Sequence, residues 1–242
     1  MRRYIGLVAV YLCQSAALAQ DVRSVSSPDG QIEFRLFLAQ PEPGALFQLA
    51  YQVFFHGKRL LDTSFLGFEI HNQEPILGAN LGLTASRSSE DSHYRSLTAE
   101  YMQNGSLGRR LTIEARAYND GIAFRYLVPK SLPLDEILID DEATEFSFVE
   151  DIQPKASLDP PLLTEQRGVA WVAITELPAE AYPRMSLVAS EPKTLISHLA
   201  RLPSDPALAF QGVTPLTSSW RILLISSSRP SLAESNLLKS LR

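Results

Sequence analysis

The residues in this 242-residue chain whose types could do chemistry are its carboxylates, its four histidines and one arginine-rich turn. The acids cluster as Glu90-Asp91, Asp140-Asp141-Glu142 and Glu150-Asp151. Cleaving a glycosidic bond needs one carboxyl group as acid and a second as base or nucleophile, on opposite sides of that bond. Adjacent residues on a strand point to opposite faces, so neighbouring acids cannot make such a pair. The three runs therefore read as solvated acidic turns. His56, His71, His93 and His198 are scattered through expected turns and strand edges and read as solvated. The chain has no Gly-x-Ser-x-Gly, no His-Glu-x-x-His, no phosphate-cradling glycine loop and no EF-hand loop.

Glu176 differs from the other acids because it follows directly on an apolar run, "VAWVAIT" at 169–175. A carboxylate at the mouth of a buried strand is held rigidly. It could serve as an oxygen ligand for calcium, although a full site takes ~6 to 8 oxygens; it could equally be a polar cap on a strand end. The stretch "RAYNDGIAFRY" at 116–126 reads as a hairpin turning at Asn119-Asp120-Gly121. With Asp120-Gly121 as the two turn residues, Arg116 and Arg125 face each other. Directly opposed like charges are destabilising unless acids interleave, and Glu114 and Glu142 are the candidate partners. Arg116, Tyr118, Arg125 and Tyr126 could then be a sugar-binding surface, an ion-pair scaffold or a docking face.

The elements that would position these residues are strands. Ile32, Phe34, Leu36 and Leu38 alternate with Gln31, Glu33, Arg35 and Phe37; Phe47, Leu49, Tyr51, Val53 and Phe55 repeat the pattern. Leu111, Ile113, Ala115 and Ala117 alternate before the arginine turn, and Ile122, Phe124, Tyr126 and Val128 after it. Such a period of two marks strands with one buried face. "EFSF" at 145–148 is a further short strand, and "VAWVAIT" and "WRILLIS" (220–226) are apolar on both faces, as in the centre of a covered sheet. Short strands punctuated by Gly and Pro predict an all-β sandwich or barrel. The one expected helix is "SLAESNLLKSLR", with Ser231 and Glu234 as a capping box and Ala233, Leu237 and Leu241 as its apolar stripe.

The first nineteen residues read as a secretory signal peptide: Arg2 and Arg3, an apolar run too short to span a bilayer, then Ala17-Leu18-Ala19. The only cysteine, Cys13, lies within it. Removing it takes Lys plus Arg from 22 to 20 against 27 acids, so the net charge moves from −5 to −7. No basic block remains, which argues against nucleic acid or an anionic membrane as partner. No later stretch could span a bilayer. Residues 20–242 are expected to form one domain, in the periplasm or secreted.

Six segments, "SPDGQIEFRL", "YQVFFHGKRLLDTSFLGFEI", "ARAYNDGIAFRYLVP", "DDEATEFSF", "VAWVAITELPAEAYPRMSL" and "SSWRILLIS", occur in an order that resembles the N-terminal domain of glycoside hydrolase family 97. The resemblance runs from about Ser26 to Leu241. It implies a large antiparallel β-sandwich of the galactose-mutarotase-like supersandwich kind, with a short C-terminal helix leading to a (β/α)8 catalytic barrel that this chain lacks. It also implies α-linked oligosaccharides as substrates, α-glucosides or α-galactosides, and calcium as cofactor of the complete enzyme. Glu176 matches the family's "ITE" glutamate, a calcium ligand, so the metal site here is expected to be incomplete, and no catalytic residue carries over. The chain departs from the family at Ser219, where proline is usual. The reading is a scaffold or carbohydrate-binding domain that shapes a substrate pocket, inactive alone. The alternative is a free-standing periplasmic carbohydrate-binding module. Arg116, Tyr118, Arg125 and Tyr126 are expected to organise the sandwich or its barrel-facing side rather than to bind sugar.

Overall fold

A computed structural model describes residues 20–106, 108–152 and 160–241; the expected signal peptide lies outside the described residues. The chain opens with β1 (Gln20–Ser26), β2 (Ile32–Ala39), β3 (Gln48–Phe55) and β4 (Lys58–Phe65), a four-stranded antiparallel meander. Next come β5 (Phe68–Ile70), β6 (Gln73–Leu77), β7 (Leu81–Glu90), β8 (Tyr94–Gln103), β9 (Arg110–Tyr118) and β10 (Gly121–Val128). The second half contributes β11 (Glu136–Glu142), β12 (Glu145–Ser147), β13 (Leu162–Gln166), β14 (Ala170–Leu177), β15 (Met185–Glu191) and β16 (Thr194–Leu199). The last strands are β17 (Phe210–Val213), β18 (Leu216–Thr217) and β19 (Trp220–Ser226).

One long sheet has the order β13-β14-β19-β10-β9-β8-β7, with β18 also pairing to β10. Against it lie the meander and two smaller sheets, β17-β11-β5-β6 and β12-β16-β15. One hydrophobic cluster draws on all four sheets, which makes the architecture an antiparallel sandwich. The alternation seen in sequence is the reason. Ile32, Phe34, Leu36 and Leu38 from β2 and Ile122, Phe124, Tyr126 and Val128 from β10 are all at most 2% exposed. Phe124 meets Tyr51 at 5.1 Å and Phe34 at 5.8 Å across the two layers. Burying a ring of this size contributes roughly 1.5–3 kcal/mol.

The arginine hairpin turns one residue earlier than expected. Tyr118 pairs with Gly121, so Asn119 and Asp120 are the turn residues, and Arg125 lies opposite Glu114 rather than Arg116. Two needs set this register. A Cβ on Gly121 would sit 2.3 Å from the Leu223 carbonyl oxygen, so only glycine lets β10 lie this close to β19. Asp120 is also occupied: its Oδ2 accepts from the backbone of Asn236 at 2.8 Å and from the Ser235 hydroxyl at 2.7 Å.

That contact divides the C-terminal helical segment. It forms two short helices, α1 (Arg229–Ala233) and α2 (Leu237–Ser240), where the sequence suggested one. The expected capping box is not made; Ser228 is the N-cap of α1, and Ser231 bonds its hydroxyl instead. Leu232, Leu237 and Leu241 bury themselves on Ile222, Leu224 and Trp220 of β19, whereas Ala233 is exposed. β14 and β19 are thus covered on both faces, by the core and by these helices. No helix of the described residues is long and apolar enough to cross a membrane.

Candidate functional site

Glu176 and Arg221 are directly opposed on adjacent strands β14 and β19, and both face inward. They share that face with Ile174, Val172, Leu223 and Ile225, all core residues. Arg221 Nη1 donates to Glu176 Oε2 at 2.8 Å. The rest of the guanidinium crosses to the other layer, where Nε and Nη2 donate to Glu142 Oε1 and Oε2 at 2.7 and 2.6 Å. All three side chains are essentially closed to solvent. Burial alone would lower the Arg221 pKa, but the Glu142 carboxylate overrides it and the net shift is upward.

Glu142 is fully committed. Thr144 donates to its Oε1 at 2.6 Å and Tyr182 to its Oε2 at 2.8 Å, while Tyr126 donates in turn to Thr144 at 2.5 Å. This corrects two expectations. Asp140-Asp141-Glu142 is no solvated turn: it ends β11, with Asp141 5% and Glu142 1% exposed. Nor does Glu142 serve the arginine hairpin. Asp141 is held by the backbone of Leu199, by His198 and by Arg201, at 2.8, 2.7 and 2.9 Å, and Asp140 by His71 at 2.8 Å. His71 and His198 are therefore tethers on neighbouring carboxylates, although His198, like His56 and His93, is exposed as expected; only His71 is half-buried. Glu90-Asp91 and Glu150-Asp151 are exposed as read.

The remaining oxygen of Glu176 meets a second arginine, Arg184, whose Nε lies 2.6 Å from Oε1. The backbone of Met185 donates to both oxygens at 3.2 and 3.3 Å. Glu176 is 1% exposed at its side chain, but Arg184 is 65% exposed. As arranged, these residues do not fit calcium. A cage of ~6 to 8 oxygens is needed, and the nearest groups to this one carboxylate are two guanidiniums and an N–H. No group of three or more acid, histidine or cysteine side chains among the described residues could hold a metal ion.

The hairpin residues make a second cluster, on the outer face of the long sheet. Arg125 donates through Nε and Nη2 to Glu114 Oε2 at 2.9 and 2.7 Å, and Arg116 reaches Oε1 at 2.8 Å. The two guanidiniums also lie over the Trp220 ring, 4.3 and 4.8 Å from its centroid, and Arg116 covers Tyr94. Tyr126 belongs to the other face, in the core. The cluster is satisfied internally, as a scaffold would be. Arg125→Ala should remove both the ion pair and the cover on Trp220, lowering the melting temperature by about 3–6 °C for the loss of roughly 1–2 kcal/mol. An unchanged melting point together with lost sugar binding would instead make these residues ligands. The Ser219 hydroxyl accepts from the Ala179 backbone at 3.0 Å, pinning the segment after β14.

Neither of the two larger depressions beside these clusters holds a carboxylate pair. The 570 Å³ depression over β7–β10 has one acid, Glu100, tied to Arg87 at 2.7 Å, and the 540 Å³ groove beside Arg184 has none in its lining. Sequence reasoning missed Arg221, Tyr182 and Thr144, and assigned Glu142 to the wrong arginines. The only available signal was that Arg221 falls on the Leu223 and Ile225 face of its strand.

Fold and site together define an antiparallel β-sandwich domain built around a buried arginine–carboxylate pair. The family model described as "Glycosyl-hydrolase 97 N-terminal" matches residues 25–156 and 149–242, and this chain belongs to that family. Among similar proteins is a "Retaining alpha-galactosidase" of Bacteroides thetaiotaomicron, 25% identical in an alignment over 167 residues that covers 63% of this chain and 23% of that protein. Among solved structures, a glycoside hydrolase family 97 enzyme (E480Q) from Pseudoalteromonas sp. strain K8 in complex with panose aligns with a TM-score of 0.78 at 20% identity. That alignment covers 91% of this chain and 38% of the enzyme. A beta-arabinopyranosidase aligns with a TM-score of 0.64 at 17% identity, covering 86% of this chain and 40% of that one. The chain thus spans less than half the length of these relatives.

Proposed function

We propose that this chain is the non-catalytic sandwich of a family 97 glycoside hydrolase, exported to the periplasm or beyond. In this reading it helps shape the pocket for an α-linked oligosaccharide and works only with a (β/α)8 catalytic domain. One observation carries the reading: family likeness extends along almost the whole described chain, yet the acids it buries are neutralised by arginines rather than offered to a substrate. Hydrolysis needs two carboxyl groups flanking the glycosidic bond, and the second layer of such a site would come from the barrel. Calcium belongs, in this reading, to the assembled enzyme, with the barrel supplying the oxygens that are missing around Glu176. The alternative of a self-standing carbohydrate-binding module is less well supported. Its two tryptophans are taken, Trp220 beneath Arg116 and Arg125, and Trp171 beside Arg229 at 5.9 Å.

The test is to incubate the purified chain with chromogenic α-glucosides and α-galactosides and to titrate it with maltooligosaccharides in a calorimeter. No product and no heat at millimolar sugar are expected. Release of sugar by the chain alone would overturn the proposal, and stoichiometric heat without hydrolysis would favour the binding module.

A further inference from the structure

Glu176 is closed by two cations of different standing. Arg221 is wholly buried and makes three hydrogen bonds to carboxylates, so it cannot leave without unfolding the site. Arg184 is held differently. Its backbone is fixed, since its carbonyl accepts from Ala200 at 2.8 Å and the next residue, Met185, donates to Glu176. Its side chain, 65% exposed, reaches back over Glu176 from the rim of the groove formed with Tyr182, Arg201 and Phe210. An exposed ion pair shifts an equilibrium by no more than about fivefold. The inner guanidinium is therefore permanent and the outer one exchangeable.

The geometry points to Arg184 as a built-in cation that covers Glu176, so that this chain takes no calcium there and any ligand using Glu176 must first displace Arg184. A divalent ion and a guanidinium compete for the same outward oxygen, Oε1. Displacing Arg184 costs little, because water can solvate the freed head group without disturbing its stem; calcium is refused because, beyond Oε1, the further oxygens of a cage are missing. This rests on the reading of Glu176 as a carboxylate offered to an assembled enzyme, and it adds that the offer is closed in the separate chain.

The cover can be read directly by carboxyl labelling of the full chain with a carbodiimide and glycine ethyl ester, followed by peptide mass spectrometry. Glu176 should be protected in the wild-type chain, and Arg184→Ala should raise its labelling by up to about fivefold. Equal labelling in the two proteins would overturn the inference; Arg184→Gln, which keeps a long polar stem, guards against an effect of lost packing. In parallel, up to about 10 mM calcium chloride, tenfold above the weak end of protein calcium sites, should move the wild-type melting point by less than about 1 °C relative to matched sodium chloride. A rise of about 3 °C or more, abolished by Glu176→Gln, would show calcium binding at Glu176 and overturn it. Product release by the separate chain would refute the domain role and leave the labelling result standing, so the two readings can fail independently.

Discussion

Arg221→Met is expected to destabilise the sandwich by about 3–5 kcal/mol, the range for removing one member of a buried ion pair. The size follows from what is left behind. Glu142 would lose two charge-assisted bonds and Glu176 one, in a place where neither carboxylate can reach water. Arg221 also joins the layers, since β19 belongs to the long sheet and Glu142 ends β11 in the facing layer. Urea unfolding at neutral pH gives the free energy, and a fall under about 1 kcal/mol would mean that the pair is solvated and not core. The triple variant Arg221→Met, Glu142→Gln, Glu176→Gln should recover part of the loss, because the uncompensated charge, not the missing attraction, dominates the single change. Against a total stability of about 5–15 kcal/mol, the single change alone could bring the domain close to unfolding.

The strands carrying this pair were legible in the sequence, but the pair was not. Alternation in β2, β3, β9 and β10 reports a buried face because a strand places every second side chain on it. "WRILLIS" and the run before Glu176 gave no such contrast, since helices α1 and α2 cover the outer face that would otherwise be polar. In a run buried on both sides, one arginine looks like a strand end. Only the pairing of β14 with β19 places Glu176 beside Arg221, and only the facing layer brings in Glu142. Those are long-range relations that spacing along the chain does not encode.

The turn shows a different limit. Asp-Gly is a favoured two-residue hairpin turn, which places Asp120-Gly121 at the tip. Tertiary needs override that local preference: Gly121 is required inside β10 for close approach to β19, and Asp120 is required at the start of α2. The one-residue shift then changes which charges meet, replacing an Arg116–Arg125 opposition by Arg125 with Glu114. The same Asp120 contact explains why a single apolar stripe in the last segment yields two helices.

Buried tyrosines should make the fold sensitive to alkali. Of the eight tyrosines, Tyr4 and Tyr11 lie in the expected signal peptide, leaving six. Five of these have pKa values raised above the ordinary value of 10, in each case chiefly by burial, which penalises the phenolate: Tyr118, and further still Tyr51, Tyr101, Tyr126 and Tyr182. For Tyr182 the neighbouring Glu142 carboxylate adds to the shift. An unfolded tyrosine ionises near pH 10 while the folded one stays neutral, so the unfolded state binds fewer protons above that pH. The stability these residues contribute is therefore intact below pH 10 and declines as pH rises through the window above it. Each of the last four costs about 1.4 kcal/mol by pH 11, and the four together about 6 kcal/mol, comparable with the lower end of a domain's stability. Tyrosinate absorbance and far-ultraviolet circular dichroism, followed together from neutral to strongly alkaline pH, should change in one cooperative step near pH 11. Smooth ionisation of all the tyrosines around pH 10 with the dichroism intact would place these hydroxyls in water and would remove Tyr126 and Tyr182 from the closed network that holds Glu142 and Arg221.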